Sequence, residues 1–261
     1  MDLGLTDVLA VVTGASRGIG LAITRTLVDE GAIVIVGARH TGDELRALAD
    51  GGRVHPVEVD LSTHEGATDL AAAAEKLGDT RILVNNVGKV TPRLTGFLDV
   101  TDDDWLGTLT LDLLAAIRTT RAVLPAMLGA GQGSIVMISS VNATLADPAV
   151  IDYSAAKAAL TNTAKSLSKQ LGPNGIRVNT ISPGPVATDL WLGDTGVARA
   201  IAHATGGDAD TVARSAAAAS VTGRFTRPDE IADLAVFLAS ERAANITGSD
   251  FVIDGGLLTT T

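Results

Sequence analysis

The chain has 261 residues, enough for one large α/β unit, and its 46% hydrophobic content with only 3% aromatics makes Ala, Val, Ile and Leu the core. It has no cysteine, which excludes disulfides, thiolate metal sites and cysteine nucleophiles. Twenty Lys and Arg against thirty Asp and Glu leave a net charge of −10, which opposes binding to nucleic acid or an anionic membrane.

In chain order, Val8 to Thr13 is a continuous apolar run, as in a strand buried on both faces of a parallel sheet. Gly14-Ala15-Ser16-Arg17-Gly18-Ile19-Gly20 follows, then a helical stripe of Ile19, Ile23 and Leu27 that stops at Gly31. Strand, glycine loop and helix in that order are the setting of a dinucleotide site. Glycines let the backbone approach a pyrophosphate, and the helix N-terminus supplies N–H groups and partial positive charge. A tight strand-to-helix turn is the bland alternative. The second strand, Ile33 to Gly37, ends in Ala38-Arg39-His40. No carboxylate stands there to hold a ribose 2′-hydroxyl, whereas Arg39 and Arg17 suit a 2′-phosphate. NADP(H) is therefore expected over NAD(H).

Further strands are expected at Val54 to Val59, Arg81 to Val84, Ser134 to Ile138, Ile176 to Ile181 and Phe251 to Asp254. Helices are expected from about Thr63 to Leu77, Thr101 to Ala130, through Tyr153 to Leu171, and Arg227 to Ser240, with a kink at Pro125. Asp189 to Thr222 is rich in Ala and Gly and reads as mobile helices. No linker or repeat divides the chain, so residues 1–261 are read as one domain of βα units wound into a parallel sheet. No apolar run reaches the length of a membrane span, and Met1-Asp2-Leu3-Gly4 lacks a signal peptide's basic region, so a cytoplasmic protein is expected.

Tyr153, the only tyrosine, stands four residues before Lys157, so on a helix the phenol and the ammonium share a face. The cation favours phenolate and is expected to lower the tyrosine pKa. A phenol tuned this way gives a proton to a carbonyl or takes one from an alcohol. On its own, a chance pairing on a solvated helix face would look the same.

With these motifs in place the chain closely resembles the short-chain dehydrogenase/reductase family from Val8 to Gly256. The resemblance rests on Thr13 to Gly20, Asn85-Asn86-Val87-Gly88, Ser140 thirteen residues before Tyr153, Lys157, Asn179 through Pro183-Gly184 to Thr188, and Asp254-Gly255-Gly256. It implies a single doubly wound Rossmann-type α/β domain with a seven-stranded parallel sheet. It also implies an NADP(H)-dependent oxidoreductase that moves a hydride between a nicotinamide cofactor and a ketone or secondary alcohol. In similar enzymes Tyr153 is the general acid and base, Lys157 lowers its pKa and binds the nicotinamide ribose, and Ser140 polarises the substrate oxygen. The cofactor contacts it implies are Gly14, Ser16, Arg17, Ile19, Arg39, Asp60, Leu61, Asn86, Tyr153, Lys157, Val186 and Thr188. Asp60 would accept from the adenine amino group, or else cap a helix. Asn86 would contact the cofactor, or else brace neighbouring strand ends. Ser140 has the alternative of a strand-end turn cap.

Two positions depart from the family pattern. The family's active-site asparagine falls on Asp112, and an ionised aspartate accepts hydrogen bonds but cannot donate them. Its charge is expected to weaken the effect of Lys157 on Tyr153, unless the register is off by a turn and Asp112 is exposed. Val87 replaces the usual alanine.

On the substrate side, Val141, Asn142, Leu145, Pro185, Leu190 and Trp191 suggest a mostly apolar pocket, with a lid at about 189–222. Arg93, on the opposite rim, either meets an anionic group or is solvated. His40, His55, His64 and His203 have no metal-ligand spacing. A narrower reading is a 3-oxoacyl-carrier-protein reductase, which the −10 charge opposes because an acidic carrier wants a basic landing patch. A different class is a catalytically weak cofactor-sensing protein, for which Asp112 argues. Similar proteins pair long helices into homodimers or homotetramers, and Ala155, Ala156, Ala158 and Ala159 suit such packing.

Overall fold

Apolar strands alternating with amphipathic helices bury their faces when the helices cover both sides of a parallel sheet. The computed structural model, which describes residues 2–259, has this arrangement. Strands β1 (Leu9–Thr13), β2 (Ile33–Ala38), β3 (Val54–Glu58), β4 (Thr80–Asn85), β5 (Gly133–Ile138), β6 (Ile176–Pro183) and β7 (Asp250–Ile253) form one seven-stranded sheet, ordered β3-β2-β1-β4-β5-β6-β7. Every pairing is parallel. The expected strands are all present, with ends moved by one or two residues. From β1 the chain winds outward to β3, then returns to lay β4 on the other side of β1. That reversal opens a crevice beyond the carboxyl ends of β1 and β4, where ligands of such sheets bind.

The helices are α1 (Gly18–Asp29), α2 (Asp43–Ala49), α3 (His64–Glu75), α4 (Asp102–Leu109), α5 (Ala115–Ala130), α6 (Ile151–Leu171), α7 (Asp189–Leu192), α8 (Val197–Thr205), α9 (Ala209–Ala218) and α10 (Pro228–Ala239). Alternation along each strand splits the core in two. Val12, Val34, Val36, Val84 and Val136 pack with Ile23 and Leu27 of α1 and with Ile231 and Val236 of α10. Val11, Ile35, Leu83, Ile135 and Met137 pack on the other face with Leu70 of α3, Met127 of α5 and Leu160 of α6. Each such side chain contributes about 1.5–3 kcal/mol when fully buried. Pro56 is accommodated because β3 is an edge strand, where a missing N–H costs no ladder bond.

One helical run, Asp102–Ala130, contains α4, a π-type turn at Thr110–Leu114, and α5. The change of winding lies at that turn, and α5 runs on across Pro125. Contrary to the expectation from the sequence, this run of 29 residues is long and apolar enough, by length and composition, to span a membrane. Its inner face, with Ala115, Ala116, Val123 and Met127, is buried in the second core. Arg177 of β6 ends α10 by donating from Nη1 to Leu238 O at 2.7 Å and from Nη2 to Ser240 O at 2.9 Å. These carbonyls would otherwise be orphaned at the helix end.

Candidate active site

The carboxyl ends of the strands deliver the motif residues to one cleft of about 740 Å³. Gly14, Ser16, Arg17 and Ile19 follow β1, Arg39 follows β2, and Asp60 and Leu61 follow β3. Asn86 follows β4, Ser140 follows β5, and Val186 and Thr188 follow β6, while Tyr153 and Lys157 reach the same cleft from α6. Of the expected catalytic and cofactor-binding residues, Asp112 alone does not line the cleft wall.

The loop after β1 is shaped by close backbone approach. Gly14 has φ +65°, and a Cβ there would lie 2.9 Å from the Val87 Cα. Thr13 Oγ1 accepts from Asn86 N at 2.9 Å and from Val87 N at 3.1 Å. Asn86 Nδ2 donates to Thr13 O and Gly14 O, both at 3.0 Å, so this amide braces the loop. The first turn of α1 has neither a side-chain cap nor an acidic residue. Its N–H groups suit an anion, so the loop and helix end fit a pyrophosphate. Asp60 Oδ1 accepts from Ser62 N at 2.9 Å, but the cap of α3 is Thr63, whose hydroxyl accepts from Gly66 N at 3.0 Å. Asp60 is thus an exposed carboxylate on the cleft wall and not the helix cap. Arg17 Nη1 lies 3.7 Å from Asp189 Oδ2 at the start of α7.

At the other end, Lys157 Nζ donates to Ile138 O at 3.0 Å and sits 5.5 Å from the centroid of the Tyr153 ring. Ser140 Oγ accepts from Asn142 N and donates to Asn142 Oδ1, both at 3.2 Å, so it caps the turn after β5 while still facing the cleft. A phenol, a hydroxyl and an ammonium on one wall can orient an oxygen and exchange a proton with it.

A family model described as enoyl-(acyl carrier protein) reductase matches residues 14–258. The chain belongs to the short-chain dehydrogenase/reductase family. It is an oxidoreductase, and its relatives match it end to end. It is 36% identical over 253 residues to the short-chain reductase protein NovJ of Streptomyces niveus, covering 95% of this chain and 93% of that protein. It is 37% identical over 271 residues to the D-threitol dehydrogenase of Mycolicibacterium smegmatis, covering 98% of this chain and 94% of that one. Its structure is similar to that of L-sorbose reductase from Gluconobacter frateurii complexed with NADPH and L-sorbose, with a TM-score of 0.92, 35% identity and 100% of both chains covered.

At three residues the folded protein decides between readings of the sequence or corrects one. The first concerns Asp112. The π-type turn points it inward, only 2% exposed, which excludes a surface register. Its Oδ1 accepts from Lys89 N at 3.0 Å and lies 3.7 Å from Lys157 Nζ, and its buried Oδ2 has no partner among the described residues. Burial raises its pKa to about 6, against the pull of Lys157 and the Lys89 N–H. A Cβ on Gly88 would lie 2.6 Å from Asp112 Oδ1 and 3.3 Å from Lys157 Nζ, so a side chain at 88 would press on the point where the two charges meet.

The second concerns Tyr153, whose pKa was expected to fall. Burial, and after it the charge of Asp112, push the phenol above its ordinary value, with Ser140 pulling the other way. Lys157 is itself pushed down by burial, although Asp112 supports its charge. The ammonium is matched by a carboxylate beside it, so little of its field is left to favour phenolate.

The third concerns Arg93, which neither is solvated nor awaits an anion. Its guanidinium is paired with Asp152 and Asp104 at 2.6 and 2.7 Å. Spacing had marked neither carboxylate. Lys89, Val90, Ala149, Val150, Ile201 and Leu257 also line the cleft, from positions outside the motifs. Trp191 does line it, and packs edge-on against Phe225 with ring centroids 5.5 Å apart.

Proposed function

We propose that this chain is an NADP(H)-dependent carbonyl reductase acting on ketones with apolar substituents, and on the matching secondary alcohols in reverse, with Tyr153 as general acid and base. The observation that carries this reading is the convergence of Tyr153, Ser140 and Lys157 on a cleft whose far end is the glycine loop. The NADPH complex of the similar L-sorbose reductase supports the choice of cofactor. Gly14, Ser16 and Ile19 would hold the pyrophosphate at the start of α1, Arg17 and Arg39 the 2′-phosphate, and Asp60 and Leu61 the adenine. Asn86, Val186 and Thr188 would border the nicotinamide half. When bound, the cofactor supplies or accepts the hydride.

The chain's own part is orientation and proton transfer. Ser140 holds the substrate oxygen in place. Tyr153 gives its hydroxyl proton to that oxygen as charge develops there in reduction, and takes it back in oxidation. A raised pKa keeps the phenol protonated at neutral pH, which suits the reducing direction. Val150, Leu190, Trp191, Val197 and Ile201 make the substrate wall mostly apolar. A polyol would leave hydroxyls without partners there. Helices α7, α8 and α9 act as a lid, closing over the bound ketone to exclude water. Ala155 and Ala158 on α6, and Leu114 and Leu128 on the helical run that packs on α6 through α4 and the π-type turn, are exposed and suit a homodimer or homotetramer.

The test is NADPH oxidation across branched ketones, ketoses and 3-oxoacyl thioesters, repeated with NADH and with Tyr153→Phe. Apolar ketones should turn over best with NADPH. Tyr153→Phe should lose about a thousandfold in kcat while still binding NADPH. Wild-type turnover in that variant overturns the assignment. Tight NADPH binding without turnover of any ketone marks a cofactor sensor instead, a second reading that the buried Asp112 favours because it opposes phenolate.

A further inference from the structure

A second buried charge cluster lies against the start of α6, outside the Ser140, Tyr153 and Lys157 group. Arg93 donates from Nε and Nη2 to Asp152 Oδ2 at 3.0 and 2.6 Å, and from Nη1 to Asp104 Oδ1 at 2.7 Å. Thr108 Oγ1 donates to the same Asp152 oxygen at 2.7 Å. The other oxygen of Asp152 accepts from the backbone N–H of Tyr153 at 3.0 Å. The Asp152 side chain is 1% exposed and that of Arg93 14%. A buried pair of this kind is a poor source of stability, because desolvation opposes the Coulomb attraction. Its geometry points to another use.

The cluster joins three parts of the chain around the phenol. Arg93 belongs to the loop after β4, Asp104 and Thr108 belong to α4, and Asp152 immediately precedes Tyr153 in the first turn of α6. Arg93 N also donates to Ala149 O at 2.6 Å, tying that loop to the turn that leads into α6. Pro92, Ala149, Val150 and Tyr153, all next to these bonds, line the cleft. The cluster therefore sets both the base of the helix that carries the phenol and the wall opposite the lid.

It also controls charge. Two carboxylates are buried around α6: Asp152 in its first turn and Asp112 beside Lys157. Asp112 has Lys157 beside it on α6 and the Lys89 N–H from the loop after β4. Asp152 has Arg93, with Thr108 and the Tyr153 N–H as donors and Asp104 as the second carboxylate on the guanidinium. Without Arg93, the Asp152 charge would add to that of Asp112 in the same low-dielectric region.

We infer that Arg93 and Asp152 are positioning residues for Tyr153: the pair fixes the start of the helix that presents the phenol and cancels a carboxylate charge one residue away from it. This rests on Tyr153 being the acid–base group. Asp152 also acts on Asp112, whose proton affinity its charge raises, and Asp112 acts on Tyr153 in the same sense.

Two variants test this with opposite signs. Arg93→Met leaves the Asp152 charge uncompensated, and should lower kcat about tenfold, leave the KM for NADPH within about twofold, and move the rising limb of the pH profile for alcohol oxidation to higher pH. Asp152→Asn keeps the shape and one acceptor oxygen, which can still face Arg93 and Thr108, but removes the charge and the acceptor of the Tyr153 N–H, and should move the same limb to lower pH. A role confined to stability would move neither limb. Because the chain has one tyrosine, a ring-labelled tyrosine gives one resonance, which should shift in both variants before any cofactor is added. If Arg93→Met does not fold, Asp152→Asn alone decides the matter. Superimposable pH profiles and an unmoved resonance, with Tyr153→Phe inactive, overturn this inference and leave the catalytic reading intact. Full turnover by Tyr153→Phe removes both.

Discussion

Asp112 Oδ1 and Lys157 Nζ face each other at 3.7 Å inside the protein, on the side of the ammonium that would otherwise act on Tyr153 alone. The carboxylate raises the phenol pKa, second only to burial. Replacing Asp112 by Asn removes that negative charge and favours phenolate. Asp112→Asn should therefore move the rising limb of the pH profile for alcohol oxidation to lower pH and speed oxidation near pH 8 by about tenfold. A pH–rate series on the two proteins measures this, and an unchanged limb would show that Asp112 does not act on the phenol.

Stability should carry the same signature. Asp112 has a folded pKa of about 6, above its ordinary 3.8, so the fold binds its proton more tightly than the unfolded chain does. Its contribution is complete below about pH 3.8 and is lost as pH rises through about 6. Asp112→Asn has no such loss. Its stability relative to wild type should therefore rise by about 1–3 kcal/mol between pH 4 and pH 7. Urea unfolding of both proteins at the two pH values gives the difference directly.

Cofactor choice should depend on Arg39, which is exposed on the cleft rim beyond β2. Arg39→Leu should raise the KM for NADPH about tenfold or more and change that for NADH by less than about twofold, since a charge-assisted bond to the 2′-phosphate is lost only with the former. Steady-state kinetics with both cofactors measure the ratio. Equal effects on both would assign Arg39 to the surface.

Arg177 offers a purely structural test. Burial lowers its pKa, and its guanidinium serves backbone carbonyls at the end of α10. Arg177→Met strands those carbonyls and should cost about 2–4 kcal/mol in chemical denaturation, with kcat near wild type at low temperature.

Much of the fold was legible because its signals are local. The apolar run of β1, the glycine spacing after it and the helical stripe of α1 are each read within about a dozen residues. A parallel α/β sheet then places strand ends together as a class. Tyr153 and Lys157 were legible for the same reason, since one helical turn places them on one face. The bracing role of Asn86 was foreseen as one of two alternatives, but only the neighbouring Thr13 and Gly14 carbonyls show it.

What the chain determined by itself is therefore the sheet, the glycine loop and the grouping of hydroxyl, phenol and ammonium, because each depends on periodicity or on the common end of parallel strands. Tertiary structure alone decided the electrostatics. Arg93 and Asp152 are 59 residues apart and meet only after α4 packs on α6. Asp112 lies buried at a π-type turn that interrupts its helix. The sign of the Tyr153 shift follows from burial and from the Asp112 carboxylate brought in by another element, and dielectric and distance exist only once the chain has folded.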